Sequence, residues 1–332
     1  MKDMDFITKL KTFIYSAFGK ITSNLLNEKS EKYYKSIFPY PKYRPYDEIR
    51  KNISLFFINE HVSVDTARAL VPNVIPVGGL NIKSNPDPLP QNIQNFMDNA
   101  QHGVIYLSFG TTLVHPSHLN QITIESFSKI KQKVLIKWNS EVQPYKSENI
   151  MWKKWFPQED ILAHKNIRVF ITHGGIKGIT EARYHAVPII GIPMFYDQFT
   201  NIDTAVKEGW GLLLRLKDLN EESLLIALSE VLNNPKYKEA ALKMSSLYRD
   251  RPKSAMDTAI YWTEYVIRHH GAPHLQSPAV HLNFWERNSL DVIAFLVVIL
   301  VVIVKLLIFS LKFCCNNMIL KLFAVNTKSK EA

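Results

Sequence analysis

Residues 155–198 read WFPQEDILAHKNIRVFITHGGIKGITEARYHAVPIIGIPMFYDQ. An apolar run, Val169-Phe170-Ile171, ends at Thr172-His173-Gly174-Gly175 and opens into a helix-compatible segment. That order predicts a buried strand feeding a helix whose first N–H groups no side chain obstructs, a natural anion site. Trp155 and Gln158 lie upstream, Glu181 one or two turns into the helix, and Asp197-Gln198 after the next apolar strand. A flat ring, an amide, an anion cradle and two carboxylates suit a ligand made of a base, a ribose, a diphosphate and a sugar. A lone histidine is usually structural, but one preceding Gly-Gly at a strand-to-helix turn is not a typical core residue.

Outward from this stretch the chain alternates. Strands are predicted at Val104–Ser108, Val134–Trp138, Val169–Thr172, Val187–Ile192 and Leu212–Leu214. Helices are predicted at Ser117–Lys131, Gly175–His185 and Thr200–Glu208, then near Glu221–Leu232, Lys236–Asp250 and Ala255–His270. Apolar strands alternating with amphipathic helices indicate an α/β fold with a parallel sheet covered on both faces. Ligands of such sheets sit beyond the carboxyl ends of the strands. Ser108-Phe109-Gly110-Thr111, Thr172–Gly175 and Asp197-Gln198 are therefore expected to converge on one rim. Upstream, residues 1–50 read as a helix and a Pro/Tyr-rich connector. Ser54–Asn59 reads as a short buried-type strand, Val74–Val77 as another, and Asn85–Pro90, with three prolines, as a linker.

The chain has 332 residues, 46% hydrophobic and 21% charged, enough for a sizeable core. Its net charge of +10 comes from lysines spread along the chain, without the aromatic-basic interleaving of single-strand binders, so nucleic acid is not an expected partner. The two cysteines, Cys314 and Cys315, are adjacent; they offer the rest of the chain neither a disulfide framework nor a metal spacing. Reversible acylation is a weak alternative to two inert thiols.

Leu290–Leu311, LDVIAFLVVILVVIVKLLIFSL, reaches the ~20 apolar residues that span a bilayer core. Lys305, inside it, can snorkel to the nearer interface. Lys312, Lys321, Lys328 and Lys330 follow, against Glu331 alone, which predicts a cytosolic tail and a lumenal bulk. Lysines third and fifth from the end fit an endoplasmic-reticulum retrieval pattern. The N-terminus has no secretory signal pattern. Phe6, Ile7, Leu10, Phe13, Ile14, Phe18 and Ile21 instead recur at helical spacing, an apolar face expected to pack on something N-terminal to this chain.

The residues WFPQ, ITHGG, Glu181, VPIIGIP and Asp197-Gln198 closely resemble the signature of UDP-glycosyltransferases, and the anchor and lysine tail resemble their animal, microsomal branch. The resemblance runs from about Ile53 to the C-terminus. It implies a GT-B fold of two facing Rossmann-like domains, with the nucleotide sugar held mainly by the second. The expected layout is a remnant of the N-terminal acceptor domain and linker at 1–84, the UDP-sugar-binding domain at 85–275 and a juxtamembrane segment at 276–289. A transmembrane helix at 290–311 and a basic cytosolic tail at 312–332 complete it.

By the resemblance, Trp155 stacks on uracil and Gln158 bonds near the base or ribose. His173, Gly174 and Gly175 face the diphosphate, helped by Ser108, Gly110 and Thr111. Glu181 accepts both ribose hydroxyls, and Asp197 with Gln198 binds hydroxyls of the sugar. Carboxylates suit vicinal diols, since each oxygen accepts one O–H; the competing reading of Glu181 is a solvated helix face, and that of Trp155 a core aromatic. Lys177 stands where vertebrate relatives often carry a phosphate-contacting asparagine, and either donates to phosphate or swings into solvent. The family's catalytic histidine–aspartate pair belongs early in the N-terminal domain, and no histidine precedes Asn52, so no catalytic residue is assigned in this chain.

The implied activity is transfer of glucose or glucuronate from UDP to a small lipophilic acceptor with inversion, without cofactor or metal. The alternative is a catalytically incomplete donor-binding membrane protein that associates with full-length relatives. A dinucleotide oxidoreductase is a weaker third reading: Gly174-Gly175-x-x-Gly178 echoes a Rossmann fingerprint but lacks its leading Gly-x-Gly. Asn52-Ile53-Ser54 fits the glycosylation acceptor tripeptide, but its overlap with a predicted strand argues against use.

Overall fold

The computed structural model describes residues 5–64, 69–83, 85–110, 122, 125–138 and 147–328. In chain order the elements begin with α1 (Phe6–Ile37), α2 (Tyr46–Lys51), β1 (Phe56–Ile58), β2 (Val74–Pro76) and α3 (Gln91–Asp98). Next come β3 (Val104–Ser108), β4 (Lys133–Lys137), β5 (Ile150–Lys153), α4 (Gln158–Leu162), β6 (Ile167–Thr172) and α5 (Ile176–Tyr184). The series continues with β7 (Ile189–Gly191), α6 (Gln198–Lys207), β8 (Gly211–Leu213), α7 (Glu221–Asn233), α8 (Pro235–Arg249) and α9 (Ala255–Arg268). It ends with α10 (Phe284–Arg287) and α11 (Leu290–Lys328). The chain divides into two units, one of Met1–Ser54, Val71–Asn73 and Gly271–Ala332, the other of Leu55–Leu70 and Val74–His270.

The second unit is built on a parallel sheet of order β5-β4-β3-β6-β7-β8. Every residue of β3 is buried, as a central strand covered on both faces must be. Alternation along the strands sorts the core into two layers. Ile105, Leu107, Val134, Ile136, Val169 and Ile171 pack on Leu224, Ala227, Leu228 and Val231 of α7. Val104, Tyr106, Leu135 and Phe170 pack on Ile93 and Met97 of α3, Ile161 of α4 and Ile179 of α5. Each fully buried aliphatic side chain contributes about 1.5–3 kcal/mol, so the sheet and its two helical layers form together. The helix starts carry their signals: Asn220 and Ser223 form a reciprocal capping box at α7, and Asn234 caps α8 ahead of Pro235.

The alternating α/β pattern expected of this region is the pattern present, with four departures. Helix α3, strand β5 and helix α4 were not expected: Ile150–Lys153 is four residues with two polar flanks, and α4 has only five residues, too short for a helical period. The strand at Ser54–Asn59 contracts to β1, paired parallel with β2, and its Phe56 and Phe57 are exposed rather than buried. Asn52 is consequently not in a strand; it is the exposed C-cap of α2, its Nδ2 donating to the Glu48 carbonyl at 2.9 Å. Of the helix expected at Ser117–Lys131, residues 117–121, 123 and 124 lie outside the described residues, while 125–128 are helical.

In the first unit, α1 is capped by Asp5, whose carboxylate accepts the Thr8 N–H at 2.7 Å. Its Phe6, Ile7, Leu10, Phe13, Ile14 and Phe18 are exposed. Among the described residues, one helix stretch, Leu290–Phe313 of α11, is long and apolar enough to cross a membrane, and none of it is buried.

Candidate functional site

From β3 the chain winds to β4 and β5 on one side of the sheet and then crosses to β6, β7 and β8 on the other. Loops leaving adjacent strands diverge at such a switch point and open a crevice at the carboxyl edge. A cavity of about 650 Å³ lies there, and Ser108, Gly110, Trp155, Gln158, His173, Gly175, Lys177 and Glu181 all line it. Residues as far apart in sequence as Ser108 and Glu181 thus meet on one rim because β3 and β6 are neighbours. Thr111 lies outside the described residues.

One end is walled by carboxylate and amide. Glu181, on the first turns of α5, is 2% exposed, so the reading of it as a solvated helix residue fails. Gln158, at the start of α4, donates its Nε2 to Glu181 Oε2 at 2.5 Å and accepts the Tyr106 hydroxyl at 3.4 Å. Asn81 donates to the other carboxylate oxygen, Oε1, at 3.4 Å, and the exposed Lys177 ammonium stands 3.8 Å from it. Burial pushes the Glu181 carboxyl above the usual range, against the pull of Gln158. Trp155 is 68% exposed and is therefore no core aromatic. The Lys137 ammonium sits 4.7 Å from the centre of its ring. Lys137 itself is buried, and burial holds its ammonium below the ordinary lysine range.

The other end is walled by backbone. The His173 ring lies against two glycines: a Cβ on Gly110 would come within 3.0 Å of its Cε1, and one on Gly175 within 2.7 Å of its Nε2. Burial lowers the imidazole pKa, outweighing the nearby Asp197 charge and the Ser108 backbone, so the ring is neutral at pH 7. Gly175 is the N-cap of α5. Gly174 turns the chain with φ of 89°, and a Cβ there would strike Ile202 at 2.6 Å. Its N–H donates to Thr172 Oγ1 at 3.2 Å, so of the two backbone donors anticipated at the Gly-Gly pair, this one is engaged within the turn.

Gly174, Asp197 and Gln198 are not brought to the cavity lining. Gln198 is buried, its Oε1 accepting the N–H groups of Met194 at 2.9 Å and Phe195 at 3.2 Å, which fixes the turn after β7. Asp197 is exposed; Asn201 donates to it at 2.8 Å and to the Gly174 carbonyl at 2.9 Å, tying the two loops. The lining also includes Tyr106, Lys137, Lys83, Glu159 and Asp160, none anticipated. Lys137 had a weak signal, a lysine closing the apolar run Val134–Ile136. Lys83 had none, because the partners that tie it to the site, Glu159 and Asp160, are 76 and 77 positions away. Among the described residues no three His, Cys, Asp or Glu side chains gather as a metal site.

A doubly wound sheet with this crevice is a nucleotide-binding architecture, and comparison with known proteins places it. The model of the UDP-glucoronosyl and UDP-glucosyl transferase family matches residues 1–325, and the chain belongs to that family. It is 45% identical over 285 residues to UDP-glycosyltransferase UGT5 of Dactylopius coccus, covering 85% of this chain and 54% of that protein. It is 33% identical over 331 residues to human UDP-glucuronosyltransferase 2B17, covering 99% of this chain and 61% of that one. The chain thus spans little more than half the length of these relatives. Among solved structures, UDP-glucose: anthocyanidin 3-O-glucosyltransferase in complex with UDP superposes with a TM-score of 0.55 at 19% identity, over 64% of this chain and 53% of that one. Spinosyn forosaminyltransferase SpnP gives 0.51 at 17%, over 64% and 54%. These two show a shared fold.

Proposed function

We propose that this chain binds a UDP-sugar in the crevice between β3 and β6 and serves transfer of glucose or glucuronate, with inversion, to a small lipophilic acceptor. One observation carries the reading: an exposed indole, a buried carboxylate and a glycine-bounded imidazole share the walls of one cavity at the sheet's switch point. Trp155 gives the uracil a flat apolar face, and Glu181 and Gln158 take the ribose hydroxyls. His173 and the start of α5 take the diphosphate, within the field of Lys137, whose charge is felt at His173.

In an inverting transfer the acceptor oxygen attacks the anomeric carbon from the face opposite UDP. The bond from that carbon to the diphosphate oxygen breaks, and its electron pair stays on UDP. Charge grows on the phosphate as this happens. A helix N-terminus and a neutral N–H donor already held in place stabilise that charge without reorganising. Lys137 adds a cation whose burial strengthens its field. Of the two residues at the α6 start, the exposed Asp197 is assigned to the sugar, whereas Gln198 is buried with its Oε1 engaged by Met194 and Phe195 and is left to hold the turn. The acceptor's proton is assigned to no residue described here.

Calorimetry on the detergent-solubilised chain tests donor binding: UDP, UDP-glucose and UDP-glucuronate bind and NAD does not, and a preference for NAD overturns the reading. Incubation with labelled UDP-sugars and lipophilic phenols then tests transfer; binding without transfer identifies a donor-binding role alone. We further propose that α11 crosses the endoplasmic-reticulum membrane once, with the lysine tail cytosolic. Protease treatment of sealed microsomes should remove a C-terminal epitope and spare the rest; digestion of the bulk with the C-terminal epitope spared reverses the topology.

A further inference from the structure

Three consecutive residues at the start of α4 face two different ways. Gln158 reaches into the cavity and holds Glu181 at 2.5 Å. Glu159 and Asp160, both buried, reach the segment that follows β2. Glu159 Oε1 accepts the Lys83 backbone N–H at 2.7 Å. Asp160 accepts the Lys83 ammonium on both oxygens, at 3.0 and 2.9 Å, and the Asp87 N–H at 2.8 Å. Asp87 closes the clamp on the same ammonium at 2.6 Å. These bonds hold the Lys83 ammonium above the ordinary lysine range. Two residues before Lys83, Asn81 donates to Glu181.

A pair of buried carboxylates is costly unless paired and hydrogen-bonded. Helix α4 has only five residues and no side-chain cap of its own. Its first turn is held from outside, by the strap it binds. We propose that the segment carrying Asn81, Lys83 and Asp87 acts as a positioning strap for the ribose end of the donor site. Lys83, gripped by Asp160 and Glu159, fixes the first turn of α4 and so the Gln158–Glu181 pair, and Asn81 steadies the far oxygen of Glu181. The strap's hydrogen bonds to the donor site named above all run to the carboxylate end, through Asn81 to Glu181 and through Lys83 and Asp87 to the first turn of α4. It is therefore expected to tune recognition of the ribose more than the base platform or the diphosphate donors. The inference rests on the assignment of Glu181 to the ribose.

The test compares UDP with 2′-deoxy-UDP by calorimetry on the full chain, in the wild type and in Lys83→Met, Lys83→Arg and Asn81→Ala. The wild type should prefer UDP about tenfold, the weight of one hydrogen bond to a charged acceptor. Lys83→Met should remove most of that preference by weakening UDP alone, and Lys83→Arg should restore much of it. Asn81 is exposed, so Asn81→Ala should fold normally and reduce the preference about threefold. Equal weakening of both ligands in Lys83→Met would mean general damage and overturns the proposal, as does an unchanged preference in both Lys83→Met and Asn81→Ala. A wild type that binds the two nucleotides equally overturns the ribose assignment itself, and the strap's role with it.

Discussion

The two ends of the cavity are prepared for a ligand in different ways. At the ribose end, polar side chains already satisfy one another: Gln158 bonds Glu181, Asn81 bonds its other oxygen, and Tyr106 bonds Gln158. At the diphosphate end the shape comes from missing side chains, with Gly110 and Gly175 bounding His173 and Gly174 filling a turn against Ile202. A ligand at the first end exchanges one set of hydrogen bonds for another, so the net gain per bond is modest but a wrong partner leaves a buried acceptor unmet. A ligand at the second end meets donors that packing alone holds in place. Side-chain truncation should therefore lower affinity and spare the fold at the ribose end, whereas enlarging a glycine should damage both at the other.

The largest effect is expected at Gly174. Gly174→Ala combines a left-handed backbone with a 2.6 Å collision, and should cost about 1–3 kcal/mol of stability together with UDP binding. A lower thermal midpoint in a melt followed by tryptophan fluorescence, with no UDP heat, is the expected result; an unaltered midpoint would erase the contrast drawn above. Glu181→Ala should weaken UDP about a hundredfold, since charged-group hydrogen bonds contribute about 1.5–3 kcal/mol, with little change in melting. Glu181→Gln should fall between. Trp155→Ala should weaken uridine and UDP alike by about 1–3 kcal/mol, the range for base stacking on an aromatic, and Trp155→Phe should recover most of it. Equal affinities in wild type and Trp155→Ala would move the base elsewhere.

The smallest effect concerns pH. His185, behind the ribose end and 3.8 Å from Glu159, has its pKa pushed down to about 4 by burial and by the Arg249 charge. The unfolded chain, with an ordinary imidazole, binds more protons between about pH 6.5 and 4. The stability tied to the neutral ring is thus fully present above pH 6.5 and is lost as pH falls toward 4, by at most about 3 kcal/mol. Melting midpoints should drop across that window in the wild type and less in His185→Gln. Parallel curves for the two proteins would show that His185 does not set this dependence.

Sequence alone determined β3, β4, β6 and β7, because an all-apolar run between polar helices can be satisfied only as a sheet covered on both faces, whereas β5, with its mixed Ile150–Lys153, was not legible. It also marked the Gly-Gly turn, since φ of 89° at Gly174 is a local demand that glycine meets without strain. Trp155, Gln158, His173 and Glu181 were legible for a related reason: their chemistry is unusual for the elements that carry them. What only the tertiary structure decided is who meets whom. Lys137, at the end of β4, reaches Trp155 just beyond the end of neighbouring β5, Asn81 reaches Glu181 across 100 positions, and Lys83 is clamped by a helix five residues long. Asp197 and Gln198 stand off the lining, Gln198 buried and engaged in the turn after β7, Asp197 exposed and held by Asn201. Periodicity and spacing carry information along the chain, but a hydrogen bond depends on which strands become neighbours, and that is set by the whole sheet at once.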